Sequence, residues 1–158
     1  MPDLRAMLSE GGFEDVRTYV QSGNVVVRSD APAADLAAEA ERLIAGRFGF
    51  EVDVIARTGE DLAEVVARNP LADVATEPKR YQVSFLEAEL EPAALERIAA
   101  MRAEPERLVA IGRELYAWHP DGIGRSKLWA KLGGTGLGVR ATARNWTTVI
   151  ALLEMAQA

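Results

Sequence analysis

The stretch from Tyr81 to Trp118 constrains the fold most, because its apolar pattern changes period twice within one short span. "RYQVSFL" is rich in aromatic and branched residues and reads as a strand. "PAALERIAAM" places Leu95, Ile98 and Met101 on one side and reads as a helix. "RLVAIG" and "ELYAWH" give two further strands, and "HPDG" supplies a turn with Pro and Gly in favoured positions. Strand, helix, strand, strand is the opening of a split β-α-β plan. A glycine-rich stretch follows, and a final helix is expected from about Thr142 with Trp146, Val149, Ile150 and Leu153 on its apolar face.

The first half has a related order. "PDLRAMLSEGGF" reads as a helix that starts at Pro2 and stops at Gly11-Gly12. "DVRTYV" and "NVVVRS" read as a hairpin. "PAADLAAEAERLIAGRFGF" carries a stripe of Leu36, Ala40, Leu43 and Ile44, with Phe48 nearby, and reads as a strong helix. "EVDVIAR" reads as a strand, and Thr58 with Asp61 forms a capping box for a helix that runs through Val66 and ends at Asn69-Pro70. The expected fold class is therefore α+β, built from two ferredoxin-like halves over residues 1–77 and 78–158, the first of them incomplete at its start.

Composition removes several function classes. Cysteine is absent, which excludes disulfides, thiolate catalysis and Cys-ligated metals. The lone histidine, His119, rules out a multi-His metal site within one chain, so no metal is expected. No apolar run reaches the ~20 residues of a membrane span, and the charged N-terminal segment is no signal peptide, so a cytoplasmic location is expected. The net charge is -6, yet it is uneven: residues 1–120 carry -9 and residues 121–158 carry +3. A basic end on an acidic chain is a local feature, and the overall charge disfavours indiscriminate nucleic-acid binding.

Three separated stretches, "TYVQSGNVVVRS", "RELYAWHPDGIGRSKL" and "ATARNWTTVIALL", together resemble the bacterial domain-of-unknown-function family 1697 over essentially the whole chain. The resemblance implies two related α+β halves and carries no established activity. Members of the family begin with a further strand and a glycine-rich turn ahead of the first helix, whereas this sequence opens on the helix. In a ferredoxin-like sheet that strand is interior, and its loss leaves backbone groups unpaired on both neighbours. A shortened start, a rearranged half-domain, or a strand supplied by a second chain, as in a homodimer, each account for the difference.

Three motifs are candidates for binding. In the first, Gly23 and Asn24 suit a hairpin turn, but Gln21 has no role in turn chemistry, and Gln21, Ser22 and Asn24 together offer hydrogen-bonding groups. The second, "DGIGRSKL", is not a phosphate-binding loop of the Walker type, since its glycine spacing and Lys-Ser order differ. It still combines Gly122 and Gly124 with the donors Arg125, Ser126 and Lys127, a set suited to an anion. In the third, "GVRATARNWTT", a helix starting near Thr142 places Arg144 in its first turn and Arg140 just outside. Each cation there opposes the helix dipole by ~0.3–1 kcal/mol. A negative partner is implied, either a ligand or an Asp or Glu of this acidic chain, with Asn145 beside it.

The remaining polar residues read as surface. His119 falls in a turn without an evident serine or carboxylate partner, and the glutamates at 87, 89, 91, 104 and 106 look solvated. No nucleophile–base set is recognisable. The leading expectation is a groove for a small phosphate-bearing ligand formed by the three motifs, with Arg125 and Lys127 clamping charge and Asn145 orienting. The alternatives are a nucleic-acid module that stacks bases on Tyr116 and Trp118, and a non-catalytic interaction protein in which the motifs only hold structure.

Overall fold

The computed structural model describes residues 2–19, 23–132 and 137–157. It is an α+β structure with two antiparallel sheets, one in each of two compact units: Met1–Ala63 with Ala151–Ala158, and Glu64–Ile150. No helix is long and apolar enough to cross a membrane among the described residues.

The first unit opens with α1 (Pro2–Glu10), which buries Met7 and Leu8. Gly12, at φ 102°, ends it in a left-handed turn: the Gly12 N–H donates to Ser9 O at 3.2 Å and the Phe13 N–H to Leu8 O at 3.0 Å. Glycine takes that φ without steric cost, so the paired glycines do stop the helix. β1 (Glu14–Tyr19) and β2 (Asn24–Arg28) then pair antiparallel, from Glu14 opposite Arg28 to Tyr19 opposite Asn24. The register is irregular between Glu14 and Arg17, where Asp15 sits at φ 49°. α2 (Ala33–Phe48) follows, with its predicted stripe, and closes on Gly49. α3 (Gly59–Ala67) begins on the expected capping box: the Asp61 N–H donates to Thr58 Oγ1 at 3.0 Å and the Thr58 N–H to Asp61 Oδ2 at 3.2 Å. The expected strand at 51–57 is absent, and the segment joins neither sheet.

The second unit contains β3 (Tyr81–Leu86), α4 (Pro92–Ala99), β4 (Arg107–Ile111), β5 (Glu114–Trp118), α5 (Lys127–Leu132) and β6 (Ala141–Asn145). Its sheet runs β4-β5-β3-β6 with every neighbour antiparallel. That is a complete split β-α-β arrangement, in which the two middle strands are buried along their whole length. One face, with Leu86, Leu115 and Ala117, packs on Ile98 of α4 and on Leu128 and Leu132 of α5. Burial of these branched side chains is the main source of its stability, at about 1.5–3 kcal/mol for each one fully buried. The opposite face carries Tyr81, Val83, Tyr116 and Trp118, all buried.

The last helix, α6 (Trp146–Gln157), starts four residues later than expected. Residues 141–145 instead pair with β3, and the Thr148 N–H donates to Asn145 Oδ1 at 3.0 Å. An asparagine three residues ahead of a free helical N–H is a strong N-cap, and it fixes the boundary. Arg144 is therefore a strand residue, and its predicted conflict with a helix dipole does not arise.

Candidate functional site

The antiparallel order brings the first residues of β3 and β4 and the last residues of β5 and β6 to one end of the second unit's sheet. Along β3, Gln82 lies on the same face as Leu86, and along β5, His119 continues the row of Leu115 and Ala117. Both side chains thus enter the helix-covered face, and both are buried, at 2% and 0% exposure. Glu106 stands just ahead of β4 and is buried as well. From the helical side comes Ser126, immediately ahead of α5.

These four side chains form one network. Glu106 Oε2 lies 2.5 Å from His119 Nδ1 and accepts from Ser126 Oγ at 2.5 Å. Glu106 Oε1 accepts the Ala103 N–H at 3.0 Å. His119 Nε2 lies 3.2 Å from Gln82 Oε1, while Gln82 Nε2 donates to Trp129 O at 3.4 Å. Ser126 Oγ accepts the Trp129 N–H at 3.0 Å and so caps α5. The Trp129 ring meets the imidazole edge-on at a centroid distance of 5.2 Å.

Electrostatics sort the roles. Burial pushes the Glu106 carboxyl upward, but hydrogen bonds from Ser126, Ala103 and His119 outweigh it and hold the acid below its ordinary range. Burial also holds His119 below its ordinary range, against the pull of Glu106. A charged imidazolium would satisfy both ring contacts at once; the neutral ring keeps its bond to Glu106. Despite its composition, the set is not a nucleophile with its base. Ser126 gives its proton to Glu106 rather than to His119, its lone pairs serve the Trp129 N–H, and His119 is sealed from solvent. The network fastens α5, β3, β4 and β5 together.

Sequence reading treated His119 and Glu106 as surface, and the structure corrects both. The phase of β5 carried the signal: Leu115 and Ala117 point inward, and His119 is next in that row. A buried carboxylate ahead of β4 becomes foreseeable only once strand order is known.

The predicted site residues divide. Arg125, Ser126 and Lys127 stand together at this end, and Asn145, opposite Gln82 in the β3–β6 register, joins them there. Arg125 and Lys127 are exposed and form no ion pair with a described residue. Arg144 turns to the opposite face, where its Nη1 donates to Thr142 Oγ1 at 2.7 Å and to Ala143 O at 2.8 Å; burial lowers its pKa. Asn24 belongs to the first unit, is 5% exposed, and donates from Nδ2 to Tyr19 O at 3.3 Å. Gln21 and Ser22 lie outside the described residues. Tyr116 and Trp118 do share a strand face but are buried. The Tyr116 hydroxyl donates to Val65 O at 2.8 Å and accepts from Arg68 Nε at 3.1 Å, while Arg68 also pairs with Glu114. Neither ring offers a face for stacking bases.

The conserved bacterial protein SP0830 from Streptococcus pneumoniae has the same fold: its structure superimposes with a TM-score of 0.77 at 20% identity, covering 100% of this chain and 89% of that one. No curated protein matches. The family model described as "Protein of unknown function (DUF1697)" matches residues 1–116, which ends within β5 and leaves the Gly-Arg-Ser-Lys and Ala-Arg-Asn-Trp stretches beyond it. With nearly three quarters of its length matched, the chain belongs to the DUF1697 family.

Proposed function

We propose that the polar end of the second unit's sheet binds a small anion, the phosphate or carboxylate of a metabolite or nucleotide. Arg125 and Lys127 provide the charge, and Asn145, whose Nδ2 has no described partner, provides an orienting donor. One observation carries this reading: Ser126, between the two cations, is clamped by Glu106 and by the Trp129 N–H. The exposed cations on either side therefore project from a fixed backbone, which lowers the ordering cost of binding. Two unpaired cations side by side on a chain of net charge -6 are also not needed for solubility. Arg144 and Asn24, whose donors serve the protein itself, are left out.

The test is thermal melting against a panel of phosphates, nucleotides, carboxylates and short oligonucleotides. A ligand at 100 times its Kd adds ~2.7 kcal/mol of stability. The expected result is a shift with one class of small anion, lost in R125A and K127A, whose own stability stays within ~0.5 kcal/mol of the parent because both side chains are exposed. A shift confined to oligonucleotides that collapses with salt would replace this reading with nucleic-acid binding. No shift with any ligand would refute it.

A further inference from the structure

A third cation shares the face of the second unit's sheet on which Arg125 and Lys127 stand. The His119 N–H donates to Arg80 O at 3.0 Å, which continues the β3–β5 pairing one residue past Tyr81 and Trp118. Arg80 is thus directly opposite His119, with about 5.5 Å between their Cα atoms. Tyr81 is extended, at φ -111° and ψ 123°, so Arg80 shares its face with Gln82 rather than with Tyr81. His119 points the same way and meets Ser126, whose Oγ lies 3.2 Å from Nδ1. Arg125 and Lys127 are the chain neighbours of Ser126. One buried imidazole therefore stands between Arg80 on one side and the other two cations on the other.

Arg80 is exposed and yet held. Its Nη1 donates to Pro120 O at 2.9 Å, which fixes the guanidinium beside the 120–126 loop and leaves its other donors unused. Among the described residues, Arg80, Arg125 and Lys127 form no ion pair, and Asp121, the carboxylate of this loop, pairs with none of them. Like charges gathered in this way repel, and an anion among them is favoured. The loop backbone adds an independent sign. Gly122, at φ 100°, closes a turn in which its N–H donates to His119 O at 3.0 Å, so the backbone itself calls for glycine. Gly124 has no such reason: its φ is not left-handed, and a Cβ there would meet no atom within 4 Å. Glycine at 124 leaves bare backbone next to Arg125, open to close approach by a ligand.

We propose, resting on the anion reading above, that this face takes two adjacent phosphate groups, so that the ligand of the site is a diphosphate. Arg125 and Lys127 hold one phosphate. Arg80 holds the other, because its planar fork of donors matches phosphate oxygens and is already fixed by Pro120. The bare backbone at Gly124 gives the ligand room between them.

The experiment is calorimetric titration of the 158-residue protein, at fixed ionic strength, with phosphate, pyrophosphate, AMP and ADP. Pyrophosphate is expected to bind about tenfold or more tighter than phosphate, the worth of one charge-assisted hydrogen bond. The same gain of ADP over AMP supports recognition of the diphosphate itself, and a gain confined to ADP supports a nucleoside diphosphate. R80A should bring the diphosphate down to the affinity of its monophosphate counterpart. R107A controls for charge alone: Arg107 is exposed at the same end of the sheet but opposite Trp118, hence on the other face, and its loss should leave the gain in place. G124A should weaken diphosphate binding while the free protein melts no lower than the parent, since alanine suits that backbone and meets nothing there. Equal binding of mono- and diphosphates, or a gain that survives R80A or is lost equally in R107A, overturns the second subsite and leaves the single-anion reading in place. Binding of none of the four overturns the proposal, and the same result with carboxylates overturns the reading beneath it.

Discussion

Glu106 and His119 set the behaviour of the second unit at the scale of single residues. Glu106 accepts hydrogen bonds from Ser126, Ala103 and His119, so Glu106→Ala removes one partner and orphans several donors. The expected loss is about 3 kcal/mol, read from urea unfolding, and Glu106→Gln should cost less because it still accepts. Acid acts on the same pair. His119 has a folded pKa below its unfolded value of about 6.5, so near pH 6 the unfolded chain binds a proton that the folded chain refuses. Stability is therefore full at neutral pH and falls as pH drops through that window. Glu106, also depressed, adds a second loss at lower pH, below the ordinary carboxylate range. Because His119 is the only histidine, His119→Gln should flatten the slope between about pH 7 and 5.5; an unchanged slope would mean that the ring binds its proton equally in the folded and unfolded chain, and a steeper one that it is charged when folded. Sequence reasoning missed this pair for a physical reason. A polar residue at the end of a strand is exposed or buried according to which helix covers it, and that contact is not local.

At the scale of elements, the sequence was most legible where one local rule acts alone. The Gly11-Gly12 stop, the Thr58–Asp61 box and the alternation of Tyr116 and Trp118 all depend on neighbours within a few residues, and all are present. Two elements were misread where a local preference competed with pairing. Residues 51–57 have strand chemistry but no partner strand, so they stay irregular. Residues 141–145 looked like the first turn of a helix but pair with β3, and Asn145 delays α6. The cap also makes a prediction that separates structure from binding. Asn145→Ala should cost ~1 kcal/mol in thermal unfolding, whereas Asn145→Ser should keep most of that stability, since serine caps nearly as well. The serine variant removes the side-chain amide, so anion binding at Arg125 and Lys127 should weaken in both variants while stability falls in only one. Equal stability loss in both would show that the asparagine does more than cap.

Across the whole molecule, the two units differ in how completely they satisfy the same plan. The second has four strands, two of them fully buried, with helices packed on one face. The first has a two-stranded sheet with α1, which buries Met7 and Leu8, and α2, which buries no residue. A two-stranded hairpin is marginal without a packed layer over it, and local opening free energies follow the density of buried apolar contacts. Backbone amides of β3 and β5 should therefore exchange only through near-global unfolding, whereas those of β1 and β2 should exchange through a local opening of the first unit. The expected gap is at least ~100-fold in protection, equivalent to ~2.7 kcal/mol. Native-state exchange, followed on proteolytic fragments that cover β2 and β3, reads it directly. Uniform protection would mean that the chain opens as one cooperative body and that the hairpin draws its stability from beyond its own sheet. If the gap is found, its size measures how much less protection the two-stranded sheet gives its amides than the buried middle strands of the four-stranded one.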